Sequence, residues 1–124
     1  MIIAAERGKA RLDELVGDDA DIAIAAVTVA ELFLGVELAT DAHKRKRRGF
    51  VEAVLDLLPV EDYDVDVARS HARLLAQARR AGLPRGAHDL IIAATAHARQ
   101  RTVITADKAA GFEGLSEVEV RYVT

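Results

Sequence analysis

Three short apolar runs, Ile22 to Val27, Thr102 to Thr105 and Val118 to Val123, are separated by longer stretches of helical periodicity. That alternation constrains the fold more than any other feature. Short strands that return in the same direction need helices as crossovers, and the result is a parallel sheet covered on both faces. The fold class expected is therefore α/β, with helices layered on either side of a mainly parallel sheet. Val29, Leu32, Phe33 and Val36 recur at i, i+3, i+4 and i+7 and predict an amphipathic helix opening at Thr28. Phe50, Val51, Val54, Leu55 and Leu58 form a second stripe, stopped by Pro59, and Val60 with its neighbours reads as a brief strand. Val67, His71, Leu74, Leu75 and Ala78 line a third helix, ended by Gly82 and Pro84. Leu90 to Ala98 is apolar on most of its circumference, which predicts a central helix, and Val118 to Val123 alternates as an edge strand would. At the other end, Ile2 to Val16 reads as a helix weakened at Gly8 and closed by the turn at Gly17-Asp18-Asp19.

With 124 residues, 51% of them hydrophobic, the chain is expected to form one domain, 1–124, with a core that needs no staples. The absence of cysteine excludes disulfides, thiolate metal sites and a Cys nucleophile. No apolar stretch approaches the ~20 residues of a membrane helix. The N-terminus lacks the cationic region of a signal peptide, so a soluble, cytoplasmic protein with no membrane partner is expected. A net charge of −3 argues against holding nucleic acid by bulk charge alone. The basic block Lys44-Arg45-Lys46-Arg47-Arg48 stands against that balance. Its plainer interpretation is a solvated helix face; the sharper one is a contact surface for RNA or an acidic partner. With no Trp and few aromatics, a base-stacking platform is not expected.

In parallel α/β sheets, sites form beyond the carboxyl ends of the strands. No phosphate-cradling glycine pattern or framed serine is found there, and His43, His71, His88 and His97 are not paired at metal spacing. His71 lies on an apolar stripe and reads as a packing residue. Carboxylates carry the information. Glu31 follows the first apolar run, Asp89 opens the central helix, and Asp107 follows the run ending at Thr105. Each has a structural explanation on its own: Thr28-x-x-Glu31 as a capping box, Asp89 as an N-cap and Asp107 as a turn residue. Together, three acids at converging strand ends suit one hard cation, because oxygen-only ligands favour Mg²⁺ or Mn²⁺ over zinc.

Thr28-Val-Ala-Glu31-Leu-x-x-Gly35-Val, Asp89-Leu-Ile-Ile-Ala-Ala-Thr-Ala and Val103-Ile-Thr-Ala-Asp107, with Phe112 and Leu115 following, occur in this order over nearly the whole chain. The set resembles the PIN-domain ribonucleases, and within them the VapC toxins of type II toxin–antitoxin pairs. The resemblance implies a PIN-like three-layer α/β/α sandwich, usually dimeric and silenced by a VapB-type antitoxin. It also implies Mg²⁺- or Mn²⁺-dependent cleavage of RNA, whether transfer, ribosomal or messenger. Carried over by motif position, Glu31, Asp89 and Asp107 are metal-binding acids, and Thr105 is the polar residue that orients the last acid or a water. The mechanism implied is in-line hydrolysis by metal-activated water, without a covalent enzyme intermediate. Arg85, Lys108, Lys44 and Arg45 are candidates for RNA phosphates by charge alone.

One departure follows from the same comparison. The family opens with a strand ending in Asp-Thr-Ser or similar, whose Asp is the first and central acid. This sequence begins Met1-Ile2-Ile3-Ala4-Ala5-Glu6-Arg7-Gly8, which matches the continuation of that motif. The first strand and its Asp are therefore expected to be missing, and Glu6 lies about two helical turns too far on to replace it. Met1 would then be a misassigned start within a longer frame. A truncated chain of this kind should be damaged in fold and activity. The alternative function is a degenerate PIN domain that binds antitoxin or RNA without cutting. A phospho-acceptor domain of receiver type fits poorly, since Asp18-Asp19 precedes its nearest strand.

Overall fold

The computed structural model describes residues 2–3, 22–82, 86–105 and 118–122. Strand β1 is Ile2–Ile3, β2 is Ala23–Ala25, and helices α1 (Ala26–Glu37) and α2 (Asp41–Leu57) follow. Then come β3 (Val60–Glu61), α3 (Val65–Ala81), α4 (Ala87–Ala98), β4 (Val103–Thr105) and β5 (Val120–Tyr122). The strands form one sheet in the order β3-β2-β1-β4-β5, and every pairing is parallel.

Side chains on a strand alternate between faces, and β2 shows how that builds two cores. Ile22 and Ile24 pack with Val54 and Leu58, with Val29, Leu32 and Phe50 around them, so α1 and α2 cover one face. Ala25 joins Val67, Leu74, Leu90, Ile92 and Val103, so α3 and α4 cover the other. Helix α4 is the central one, as its composition predicts: Leu90, Ile92, Ala93, Ala94, Thr95 and Ala96 are all buried. Its run of alanines brings α4 close to α3, and these two helices form the most extensive helix–helix contact described. Helix α3 starts at Asp64, whose side chain accepts the Val67 N–H at 3.0 Å, and stops at Gly82 with φ 66°. Only glycine takes that left-handed conformation without strain. Strand β5 lies at the sheet edge, where the alternation of Val118 to Val123 places it.

Three expectations change. Ile2–Ile3 is a strand at the centre of the sheet, where helical periodicity puts the start of a helix and motif comparison leaves the first strand missing. The reason is the demand of the neighbours: β2 and β4 each carry an edge of backbone groups, and two β-branched residues between them satisfy both. The rest of the expected helix, residues 4–16, and the acidic turn after it lie outside the described residues. Second, α1 begins at Ala26 rather than Thr28, Ala26 being the residue type that favours helix most. Third, α4 begins at Ala87 with Gly86 as its N-cap, three residues ahead of the expected start at Leu90 capped by Asp89.

Candidate functional site

The earlier starts of α1 and α4 remove the capping explanations of Glu31 and Asp89. With Ala25 at the N-cap, Thr28 is the third residue of α1 and no side chain caps the helix. With Gly86 at the N-cap, Asp89 is the third residue of α4. Neither the expected capping box nor the expected Asp89 cap forms. Glu31 instead sits on the second turn of α1 and Asp89 on the first turn of α4, and the two are close enough for Asp89 to act electrostatically on Glu31.

Glu31 is the unusual group. Its side chain is 29% exposed, yet its Oε1 is buried and has no hydrogen-bond partner. Among the described residues, His88 is the basic side chain recorded beside it, its Nδ1 3.6 Å from Oε1, too far for a hydrogen bond. Burial raises the Glu31 carboxyl above its ordinary value, His88 works against that, and the Asp89 charge adds to it. Thr28 Oγ1, one turn earlier on the helix, is also buried without a partner. Buried polar oxygens are almost always satisfied, so two orphans beside a second carboxylate describe a place built for something that donates positive charge. A hard cation with oxygen ligands fits that donor set in kind. Among the described residues, no group of three acids or histidines completes a metal cage. Asp107, Lys108 and Arg85 lie outside the described residues; Thr105 ends β4, and its side chain is likewise outside them.

Gly86 positions Asp89. A Cβ on residue 86 would lie 3.0 Å from Asp89 Oδ2, so the carboxylate rests against the bare Cα of its own helix cap. Sequence reasoning passed over Gly86 and His88. The signal for the glycine was its place three residues before an acid at a helix start.

The basic block lies on the first half of α2, where Arg45 to Arg48 are exposed and Lys44 is half-buried. Arg48 Nη2 is 3.8 Å from Glu37 Oε1, and Arg47 Nη1 is 3.4 Å from the Gly35 carbonyl oxygen. His43, Lys46, Arg47 and Phe50 share one flank of the helix and line a cleft of about 360 Å³. Lys44, half-buried, and Arg45, exposed, do not line it. Elsewhere, His71 is half-buried and its Nδ1 is 2.8 Å from the Tyr63 hydroxyl, in keeping with a packing role; burial lowers its pKa. Ser70 Oγ lies 2.9 Å from His97 Nδ1, but Ser70 is enclosed between α3 and α4, where no substrate reaches it. Arg99 joins distant segments, donating to Glu61 Oε2 and Asp64 Oδ2, each at 2.7 Å. No helix among the described residues is long and apolar enough to cross a membrane.

Comparison with known proteins places the fold in a family. A family model described as PIN domain matches residues 1–117. Ribonuclease VapC5 of Mycobacterium tuberculosis is 39% identical over 124 residues, covering 97% of this chain and 88% of the relative. The crystal structure of VapBC-5 from the same organism, a member of the VapBC family of toxin–antitoxin systems, superposes with a TM-score of 0.81 at 34% identity, covering 98% and 97% of the two chains. The FitAcB structure from Neisseria gonorrhoeae gives 0.80 at 28% identity, over 97% and 96%.

Proposed function

The chain belongs to the PIN-domain family, in its VapC branch of ribonuclease toxins from type II toxin–antitoxin systems, and from that premise we propose that Glu31 and Asp89 hold a catalytic divalent cation. Asp107 completes the acid set, and Thr105 orients it or a water. The observation that carries the proposal is the pair of orphaned buried oxygens, Thr28 Oγ1 and Glu31 Oε1, beside a second carboxylate. A Mg²⁺ or Mn²⁺ ion held there supplies Lewis acidity, which makes water a nucleophile near neutral pH and offsets charge on the leaving oxygen.

The protein's own contribution is placement and charge. Burial raises the Glu31 carboxyl above its ordinary value, His88 works against that, and the Asp89 charge adds to it, so a cation held there would offset the cost of burying the carboxylate. Asp89 stands on the first turn of α4, whose next residues Leu90 and Ile92 to Ala96 are buried, so its backbone is anchored by the core. His88, more than half exposed, has its Nδ1 3.6 Å from Glu31 Oε1 and is a group able to donate to an incoming phosphate. No serine or threonine nucleophile is required, in keeping with the enclosure of Ser70.

The family pairs such toxins with an antitoxin, and this chain takes an antitoxin partner. We assign that partner to the VapB type and the active form to a homodimer acting on RNA. A second reading, binding without cutting, is favoured by one feature: the residue after β1 is Ala4 rather than an acid. An RNA-cleavage assay in Mn²⁺ separates the two. Cleavage that EDTA stops and that Asp89→Asn abolishes in a folded protein supports the nuclease. Metal-independent cleavage, or an Asp89→Asn variant of full activity, rejects the ligand assignment. No cleavage with RNA binding intact selects the second reading.

A further inference from the structure

We infer that the cleft on α2 formed by His43, Lys46, Arg47 and Phe50 is a phosphate subsite that grips single-stranded RNA beside the acid site; this rests on the nuclease reading above. The four residues fall at i, i+3, i+4 and i+7, so a single helix flank presents them together. Arg47 fixes where that flank meets α1. Its Nη1 lies 3.4 Å from the Gly35 carbonyl oxygen and 3.7 Å from where a Gly35 Cβ would be, so the guanidinium rests against the bare side of α1 at residue 35. Glu31 is four residues earlier on α1, on the same side and about 6 Å away along the helix axis. The cations therefore begin one helical turn from the carboxylate, a distance comparable to one nucleotide step.

Charge makes RNA the fitting occupant. A polyanion brought to Glu31 and Asp89 is repelled by both, and a cationic rail alongside offsets that repulsion. Neither His43 nor Lys46 is ion-paired among the described residues, so both heads are available to an anion. Arg47 spends one N–H on a long contact to Gly35 and keeps others for a phosphate oxygen. The rest of the basic block is disposed differently: Arg48 turns to Glu37, and Arg45 lies on the opposite side of α2. Phe50 adds an apolar ring to the lining and also packs against the core beneath α2. An acidic protein segment would also find cations here, but nothing would draw it along α1 toward two carboxylates.

The test is fluorescence anisotropy of a short labelled single-stranded RNA with the full chain carrying Asp89→Asn, so that no cutting intervenes. Lys46→Gln should lower the slope of log K against log salt by about 0.7, and Lys46→Gln with Arg47→Gln by about 1.4. Arg45→Gln removes the same charge from the far side and should leave the slope in place. The inference is overturned if Arg45→Gln lowers the slope as much as Lys46→Gln, since bulk charge would then suffice. It is also overturned if the double variant binds RNA normally but loses its antitoxin, which would assign the cleft to the protein partner. Because binding is read without chemistry, the expected slopes together with a metal-independent wild type would reject the nuclease mechanism and leave the subsite standing.

Discussion

Gly86→Ala is a small change with a consequence that can be worked from distances. The backbone at residue 86, with φ −62° and ψ 138°, accepts alanine without strain. What changes is the space in front of Asp89. The new Cβ would lie 3.0 Å from Oδ2 and 3.6 Å from Cγ, and ordinary van der Waals contact starts near 3.4 Å, so the carboxylate must retreat by about 0.4 Å. A carboxylate at the end of a side chain yields cheaply, so the fold bears little of the cost. Alanine is a poorer N-cap than glycine, which adds about 1 kcal/mol at most. Displacement by 1 Å at a reacting centre costs on the order of a hundredfold, so 0.4 Å corresponds to roughly a six- to tenfold loss in kcat/KM. The assay is RNA cleavage against Mn²⁺ concentration, run beside thermal unfolding. Weaker apparent Mn²⁺ affinity with a Tm within several degrees of wild type is the expected pair of results. An unchanged Mn²⁺ dependence in a folded variant would show that Asp89 is not held in a productive position by Gly86.

Glu31→Gln should raise the Tm of the metal-free protein at neutral pH. A carboxyl whose folded pKa is raised penalises the folded state wherever it is ionised, and the gain should vanish as pH falls below the ordinary carboxylate range. Differential scanning in EDTA reads this, and a lower Tm for the variant would contradict the burial argument. Arg99→Ala removes two short bonds that tie α4 to Glu61 and to the α3 cap, and should cost about 1–2 kcal/mol in denaturant unfolding, since the pair is only partly shielded. Asp64 supplies a pH signature. Its carboxyl is held below the ordinary value by the Val67 N–H and then by Arg99, so its contribution is complete above the unfolded carboxylate pKa and is lost as pH falls through the lower folded one. The stability gap between wild type and Asp64→Ala should therefore be full at neutral pH and close in acid; a gap independent of pH would reject the cap as its source.

The layered fold was legible because its signals are long and redundant. Helix α4 announces its central place through Leu90 to Ala98, and the stripe from Val67 to Ala78 marks the buried side of α3. Short-range signals failed at the ends of elements. Thr28-x-x-Glu31 has the letters of a capping box, but Ala26 and Val27 extend the helix by two residues, so Thr28 is buried in its first turn and Glu31 falls on its second. The same local sequence thus supported a cap and a site, and only the three-dimensional start of α1 separates them. Ile2–Ile3 misleads for another reason: two residues hold too little periodicity to outweigh a helical context, while the sheet's need for a central partner does. The basic block was visible as charge, but which of its members line the cleft was not, because that depends on how α2 is rotated against α1.

The claim at the centre of this account is that Glu31 and Asp89 jointly hold a divalent cation. Titration of Mn²⁺ into the metal-free protein, followed by the loss of the free-ion electron paramagnetic resonance signal, tests it without RNA or turnover. Saturable binding that Glu31→Gln and Asp89→Asn each weaken at least tenfold, with Arg45→Gln unaffected, is the result expected. Binding that survives both acid substitutions in folded protein would contradict it.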